Sequence, residues 1–186
     1  MRKFALLGAL LAGTFTAQAA TIIGSLSIVS LSTTINGTNL QDSTTFSQSI
    51  RLVGDSFGDY SFIPLGTTVS DAVIDVNNLS AYSFTIGEGG SIGTFTAAFG
   101  TQLTDLPNFD DFYFEGVFTP GAGFTAGFDP SPTSVRISLN QSGEAISSAS
   151  TLASPPTGLV PEPTTVATGL AGLALVGMMR LRRRRS

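Results

Sequence analysis

Through the middle of the chain, apolar and polar residues alternate in short runs separated by clusters of Gly, Pro, Asn and Asp. Alternation with a period of two, in segments rich in Val, Ile, Thr and Phe, predicts β-strands with one buried face. "SVRISLNQ" sets Val135, Ile137 and Leu139 on one face and Arg136, Ser138 and Asn140 on the other. Ser142-Gly143 and "EAISSASTLA" follow, which predicts a hairpin with a glycine turn. "DFYFEGVFTP" places Phe112, Phe114 and Phe118 opposite Asp111, Tyr113, Glu115 and Val117; Asp110 falls on the phenylalanine side. "SIGTFTAAFG" groups Phe95, Ala97 and Phe99, and "LSAYSFTIGE" groups Tyr82, Phe84 and Ile86. "SLSIVSLST", "TTFSQSIRLVG", "DYSFI" and "DAVIDV" complete a set of about eight strands. The expected fold is all-β, an antiparallel β-sandwich of jelly-roll-like or barrel-like form. Between the last strands, "TPGAGFTAGFDPSPT" is a Gly/Pro loop of about fifteen residues. It carries Phe124 and Phe128, which are expected to fold back over a sheet edge or end.

The two ends of the chain follow different patterns. Met1-Arg2-Lys3 precedes an unbroken apolar run over residues 4–15, and then Ala17-Gln18-Ala19-Ala20. A basic start, a short apolar run and a small-x-small site predict a signal peptide over residues 1–19, cut by signal peptidase after Ala19 or Ala20. At the other end, "TLASPPTGLVPEP" is rich in proline and predicts an extended spacer over residues 154–163. Residues 164–179 are apolar, and Arg180, Arg182, Arg183, Arg184 and Arg185 follow at once. Sixteen helical residues span about 24 Å, slightly short of a bilayer core of about 30 Å. The arginines are expected to stay in the cytosol and hold this segment as a C-terminal transmembrane helix, with the domain of residues 20–153 outside.

Composition narrows the chemistry. The chain has no Cys, His or Trp. That removes disulfides, Ser-His-Asp and Cys-His catalysis, and His-ligated zinc. Within residues 20–161 the only basic side chains are Arg51 and Arg136, against twelve carboxylates, leaving that segment at −10. Such a domain repels nucleic acid and anionic lipid. Fourteen phenylalanines point to a core built from Phe.

The C-terminal pattern resembles the PEP-CTERM sorting signal. Its three parts occur in order: Val160-Pro161-Glu162-Pro163, the apolar stretch at 164–179, and the arginine run at 180–185. The two prolines keep the motif extended and non-helical. The resemblance covers about 27 residues and implies recognition by an exosortase, a membrane protease-transpeptidase. It further implies a transient stay in the inner membrane, then transfer to the cell surface or matrix, often where exopolysaccharide is made. The β-rich middle is similar in composition to the uncharacterised domains that precede such tails, a likeness that implies no activity and no site residues.

Carboxylates are the only groups left for catalysis. Asp111 and Glu115 share a strand face with Tyr113, but four residues along a strand is more than the separation of a retaining glycosidase pair. No catalytic residue and no cofactor is expected. Asp55 and Asp59, and Asp71 and Asp75, are hard oxygen ligands of the kind calcium takes, although no Asp-x-Asp-x-Asp-Gly loop exists and neither pair is dense. The main expectation is a non-catalytic exported surface or extracellular-matrix protein. The alternative is a carbohydrate-binding module, which would present Tyr60, Tyr113 or Phe124 as an exposed platform. A carboxylate-dependent glycoside hydrolase comes third.

Overall fold

A computed structural model of the chain describes residues 20–157. Nine strands run in chain order: β1 Gly24–Ile35, β2 Thr45–Gly58, β3 Thr68–Val69, β4 Ala72–Asp75, β5 Ser83–Ile86, β6 Gly93–Leu106, β7 Phe109–Pro120, β8 Ser131–Ser142 and β9 Ala145–Ser154. Two 3₁₀ turns, Val76–Ala81 and Glu88–Gly90, flank β5. All ladders between strands are antiparallel, in the order β1-β9-β8-β7-β6-β5-β3-β2-β4, and β1 also pairs with β2. The sheet therefore closes on itself as an eight-stranded barrel, with β4 continuing the edge of β2 beside β3. Of the expected architectures the chain adopts the barrel, and it does not divide into the two facing sheets of a sandwich. The expected signal peptide, sorting motif, membrane helix and arginine tail lie outside the described residues, apart from Ala20.

Closure is uneven around the ring. β6 with β7 and β1 with β2 are long ladders, whereas β3 and β5 share one residue pair, Val69 and Ile86. Extra residues curl the long strands: Gly54 in β2 opposite Ser27-Ile28, and Ala98 and Leu103 in β6. Each bulge bends its strand and raises the local twist, which a small closed barrel needs. The β8–β9 hairpin forms as expected. Gly143, at φ 62, takes the first loop position, where a type II′ turn calls for glycine.

The interior is aromatic. Phe46, Phe95, Phe112, Phe114 and Phe118 are fully buried, and Val135, Ile137 and Leu139 of the adjoining β8 face inward beside them as the alternation predicts. Tyr82 stacks on Phe114 at 4.4 Å between centroids, and Phe112 meets Phe46 edge-on at 5.3 Å. Loops plug both ends. At one end Leu40 is buried, and its N–H donates to the Pro107 carbonyl in the β6–β7 turn. At the other, Phe124 packs among Tyr60, Phe118 and Phe128, so the Gly/Pro loop folds over the barrel end. That loop is shorter than expected, because β7 extends to Pro120 and β8 begins at Ser131.

Two expectations need correction, and one strand lies outside them. "DYSFI" is a turn and not a strand: Tyr60 N–H bonds back to Phe57 and Ile63 N–H to Tyr60, which turns Tyr60 and Ile63 into the barrel mouth. β3 was not foreseen, since two residues carry no periodicity. Phe99 leaves the Phe95–Ala97 face and is 54% exposed, because the bulge at Ala98 shifts the inward positions of β6 by one until the second bulge at Leu103.

The tightest strand crossing is at Gly116, where an added Cβ would run into the Thr96 carbonyl oxygen and lie 2.8 Å from Ala97 Cα. Both neighbours are backbone and cannot swing aside. Gly116→Ala is expected to cost more than about 2 kcal/mol. Urea unfolding followed by circular dichroism measures it, and an unchanged midpoint would refute the close approach.

Candidate functional site

Most of the carboxylates singled out from the sequence are engaged in local hydrogen bonds or an ion pair. Asp55 accepts from its neighbour Ser56 N–H, and Asp59 accepts from Ile23 N–H at 2.8 Å, pinning the strand that enters the barrel. Asp75 caps the 3₁₀ turn through Asn77 N–H, and Asp71 is exposed between β3 and β4. Among the described residues no group of three or more acidic side chains is arranged to hold a metal ion. On the outer wall, Asp111 is buried beneath Arg136. Arg136 Nη2 approaches Oδ2 at 2.6 Å, its Nε–H also donates to the carboxylate, and Ser138 Oγ–H adds a bond at 3.1 Å. This follows from register, since Tyr113 lies opposite Arg136 and Asp111 opposite Ser138. Asp111 holds Arg136 firmly protonated, raising its pKa. Glu115 is exposed and accepts from the Tyr113 hydroxyl at 3.0 Å. Asp111 and Tyr113 are thus covered, not the solvated face that strand alternation suggests, and only Glu115 is open. Tyr60, Tyr113 and Phe124 are 0%, 2% and 6% exposed, so none presents a flat face to solvent.

Two polar features inside the barrel were not legible as candidates. The first is Asp110, fully buried on β7 opposite Leu139 of β8 and Asp105 of β6. Gln102 Nε2 donates to both of its oxygens, at 3.0 and 2.9 Å, and Asp111 N–H donates to Oδ1. Gln102 points inward only because the Ala98 bulge has shifted the parity of β6. Burial pushes the Asp110 carboxyl up to about 6, against the lowering effect of these bonds, and nearby Asp105 and Asp111 add to the rise.

The second is a polar belt across β2, β1 and β9. Arg51 is 1% exposed. Its Nη1 donates to the Ser70 carbonyl at 3.1 Å and its Nη2 to the Tyr82 hydroxyl at 3.0 Å, and the guanidinium lies 4.7 Å from the Phe84 ring centroid. Tyr82 in turn donates to Gln48 Oε1, and Gln48 Nε2 donates to Ser148 Oγ. Burial raises the Tyr82 hydroxyl, while Arg51 draws it down. Register completes the belt: Ser30 of β1 is opposite Arg51 on one side and Ser148 on the other. Among the described residues Arg51 forms no ion pair. Its Nε–H, and the buried hydroxyls of Ser30, Thr33 and Ser150, have no hydrogen-bond partner among the described residues. Buried polar groups are nearly always partnered, so four orphans in one interior mark this belt as the candidate site.

No family model, curated protein or solved structure matches the chain. The geometry therefore stands alone, and it defines an all-β antiparallel barrel with a cationic interior belt.

Asp110 sets a pH test. Its folded pKa is above the unfolded value, so between about pH 4 and 6 the unfolded chain is ionised while the folded one still holds the proton. The contribution to stability falls as pH rises through that window and is flat above it. Asp110→Asn removes this slope and is expected to stabilise the barrel at pH 7.5 by roughly 2–3 kcal/mol, with little difference at pH 3.5. Urea unfolding of both proteins across that range measures the difference, and a constant gap between the two would contradict it.

Proposed function

We propose that this chain is a non-catalytic exported surface or extracellular-matrix protein, delivered through a PEP-CTERM-like tail and processed by an exosortase. The observation that carries the reading is the order of parts at the C-terminus: Pro161-Glu162-Pro163, the apolar stretch at 164–179, then Arg180 and the run from Arg182 to Arg185. The barrel's connectivity is compatible with two flanking signals. Gly24 at the start of β1 pairs with Ser154 at the end of β9, so the chain enters and leaves the barrel at the same end.

Several features support a non-catalytic role. Asp111 is tied to Arg136, Glu115 is bound to Tyr113, and the chain has no His or Cys to act as base or nucleophile. Tyr60, Tyr113 and Phe124 serve packing, and a stacking platform for sugars would have to use other aromatics.

Intact mass of the protein from its native host, with and without the exosortase, tests the proposal. The expected mature form lacks about 25 C-terminal residues only where the enzyme is present. An arginine tail retained in both strains would make the tail a permanent anchor and overturn the sorting reading. The same spectrum locates the N-terminal cut. Ala20 N–H donates to Gly127 O at 2.9 Å and its carbonyl accepts from Asp129 N–H. A cut after Ala19 keeps this bridge, and a mature protein beginning at Ala20 is expected. A start at Thr21 would show that the bridge is dispensable.

A further inference from the structure

Among the described residues no group balances the charge of the Arg51 guanidinium. Arginine does not lose its proton inside a protein, so burial cannot neutralise it. An isolated cation out of water is costly and is normally balanced by an anion. Arg51 has a backbone carbonyl, a phenol and an aromatic face, all neutral, and no carboxylate among the described residues. Its Nε–H is free, and Ser30, directly opposite it across β1 and β2, has a free buried hydroxyl. Ser150, at the next inward position of β9 beyond Ser148, has another.

The backbone is bent to produce this arrangement. Phe46 and Gln48 point inward on β2, and alternation would next bring in Ile50. Instead Ile50 has φ 50 and is 62% exposed, and Arg51 and Val53 are the inward residues. A β-branched residue in the left-handed region is a true outlier, at a cost of about 1–2 kcal/mol. Strain of this kind collects where structure serves a ligand. Here it replaces an isoleucine in the core with a cation.

We propose that Arg51, with the Ser30 hydroxyl opposite it, binds a small monocarboxylate inside the barrel. A carboxylate offers two oxygens and a single charge, which match one guanidinium N–H, one hydroxyl donor and one unbalanced cation. A phosphate brings more charge and more acceptors than these donors satisfy. The surrounding rings of Phe84, Tyr82 and Phe114 suit a short apolar body and keep water from competing. The way in is the β3–β5 seam. It has one ladder pair, and Ser70, whose carbonyl holds Arg51 Nη1, also closes it through Ser70 N–H to Thr85 O and Thr85 N–H to Ser70 Oγ. Opening that seam uncovers the guanidinium. The assignment does not depend on the tail reading.

The test is a titration of the full chain with sodium acetate at constant ionic strength, chloride being the replaced ion. It is followed by the ¹⁵N–¹H resonance of the Arg51 side-chain Nε. A saturable shift with acetate and none with chloride is expected. Arg51→Lys keeps the charge but lacks the Nε donor, and should weaken acetate-dependent thermal stabilisation about tenfold in concentration. Ser30→Ala, a small change next to the cation, should weaken it as well. Absence of a saturable acetate shift in the wild-type protein, or an equal response to chloride, would overturn the proposal whether or not the variants fold.

Discussion

β2 has to pair along three partners at once, and the barrel exists only because it does. Its long edge pairs with β1 and closes the ring, while its other edge is shared by β3 and β4. A straight, regular strand cannot follow that curvature, so β2 carries an extra residue at Gly54 and a left-handed one at Ile50. The second irregularity has the larger consequence. By switching which residues face inward, it takes Arg51 out of solvent and seats it on Phe84, beside Tyr82 and the weakest seam of the ring. β6 does the same on its own wall, where the bulge at Ala98 expels Phe99 and admits Gln102, which then holds Asp110.

The interior thus combines two materials. Most of it is a phenylalanine core, closed at both mouths by Leu40 and Phe124, and this apolar burial drives folding. Set within it are Asp110 and the belt around Arg51, which add nothing to hydrophobic stability and weaken it where their charges lack partners. The outer wall differs in character. There Asp111 and Arg136 satisfy each other at the surface, and the remaining acids cap turns or face solvent. The polar groups that are left over lie inside, which is why a ligand role falls to the interior and not to the carboxylates outside.

Much of the fold could be read from alternation. Val135, Ile137 and Leu139, Phe112 and Phe114, and Tyr82, Phe84 and Ile86 all fall on the buried side, because β7, β8 and β5 keep strict parity. Alternation fails where parity breaks. Nothing in "SQSIRL" or "TAAFGTQ" signals an extra or left-handed residue, so Arg51 and Gln102 look like ordinary surface positions and Phe99 like core. Barrel and sandwich could not be separated either, since closure depends on the pairing of β1 with β2 and that is a matter of three-dimensional curvature. The candidate site was invisible for the same reason: its members are spread over residues 30 to 150 and meet only across β2, β1 and β9.

The left-handed backbone at Ile50 is what turns Arg51 inward, and the stability of Ile50→Asn probes it most directly. Asparagine tolerates the left-handed region far better than isoleucine does. If Ile50 is held there to seat Arg51, the variant is at least as stable as the parent, with a gain of up to about 1 kcal/mol in guanidinium unfolding. A loss of about 1 kcal/mol or more, as expected for replacing a β-branched residue in an ordinary extended strand, would contradict it.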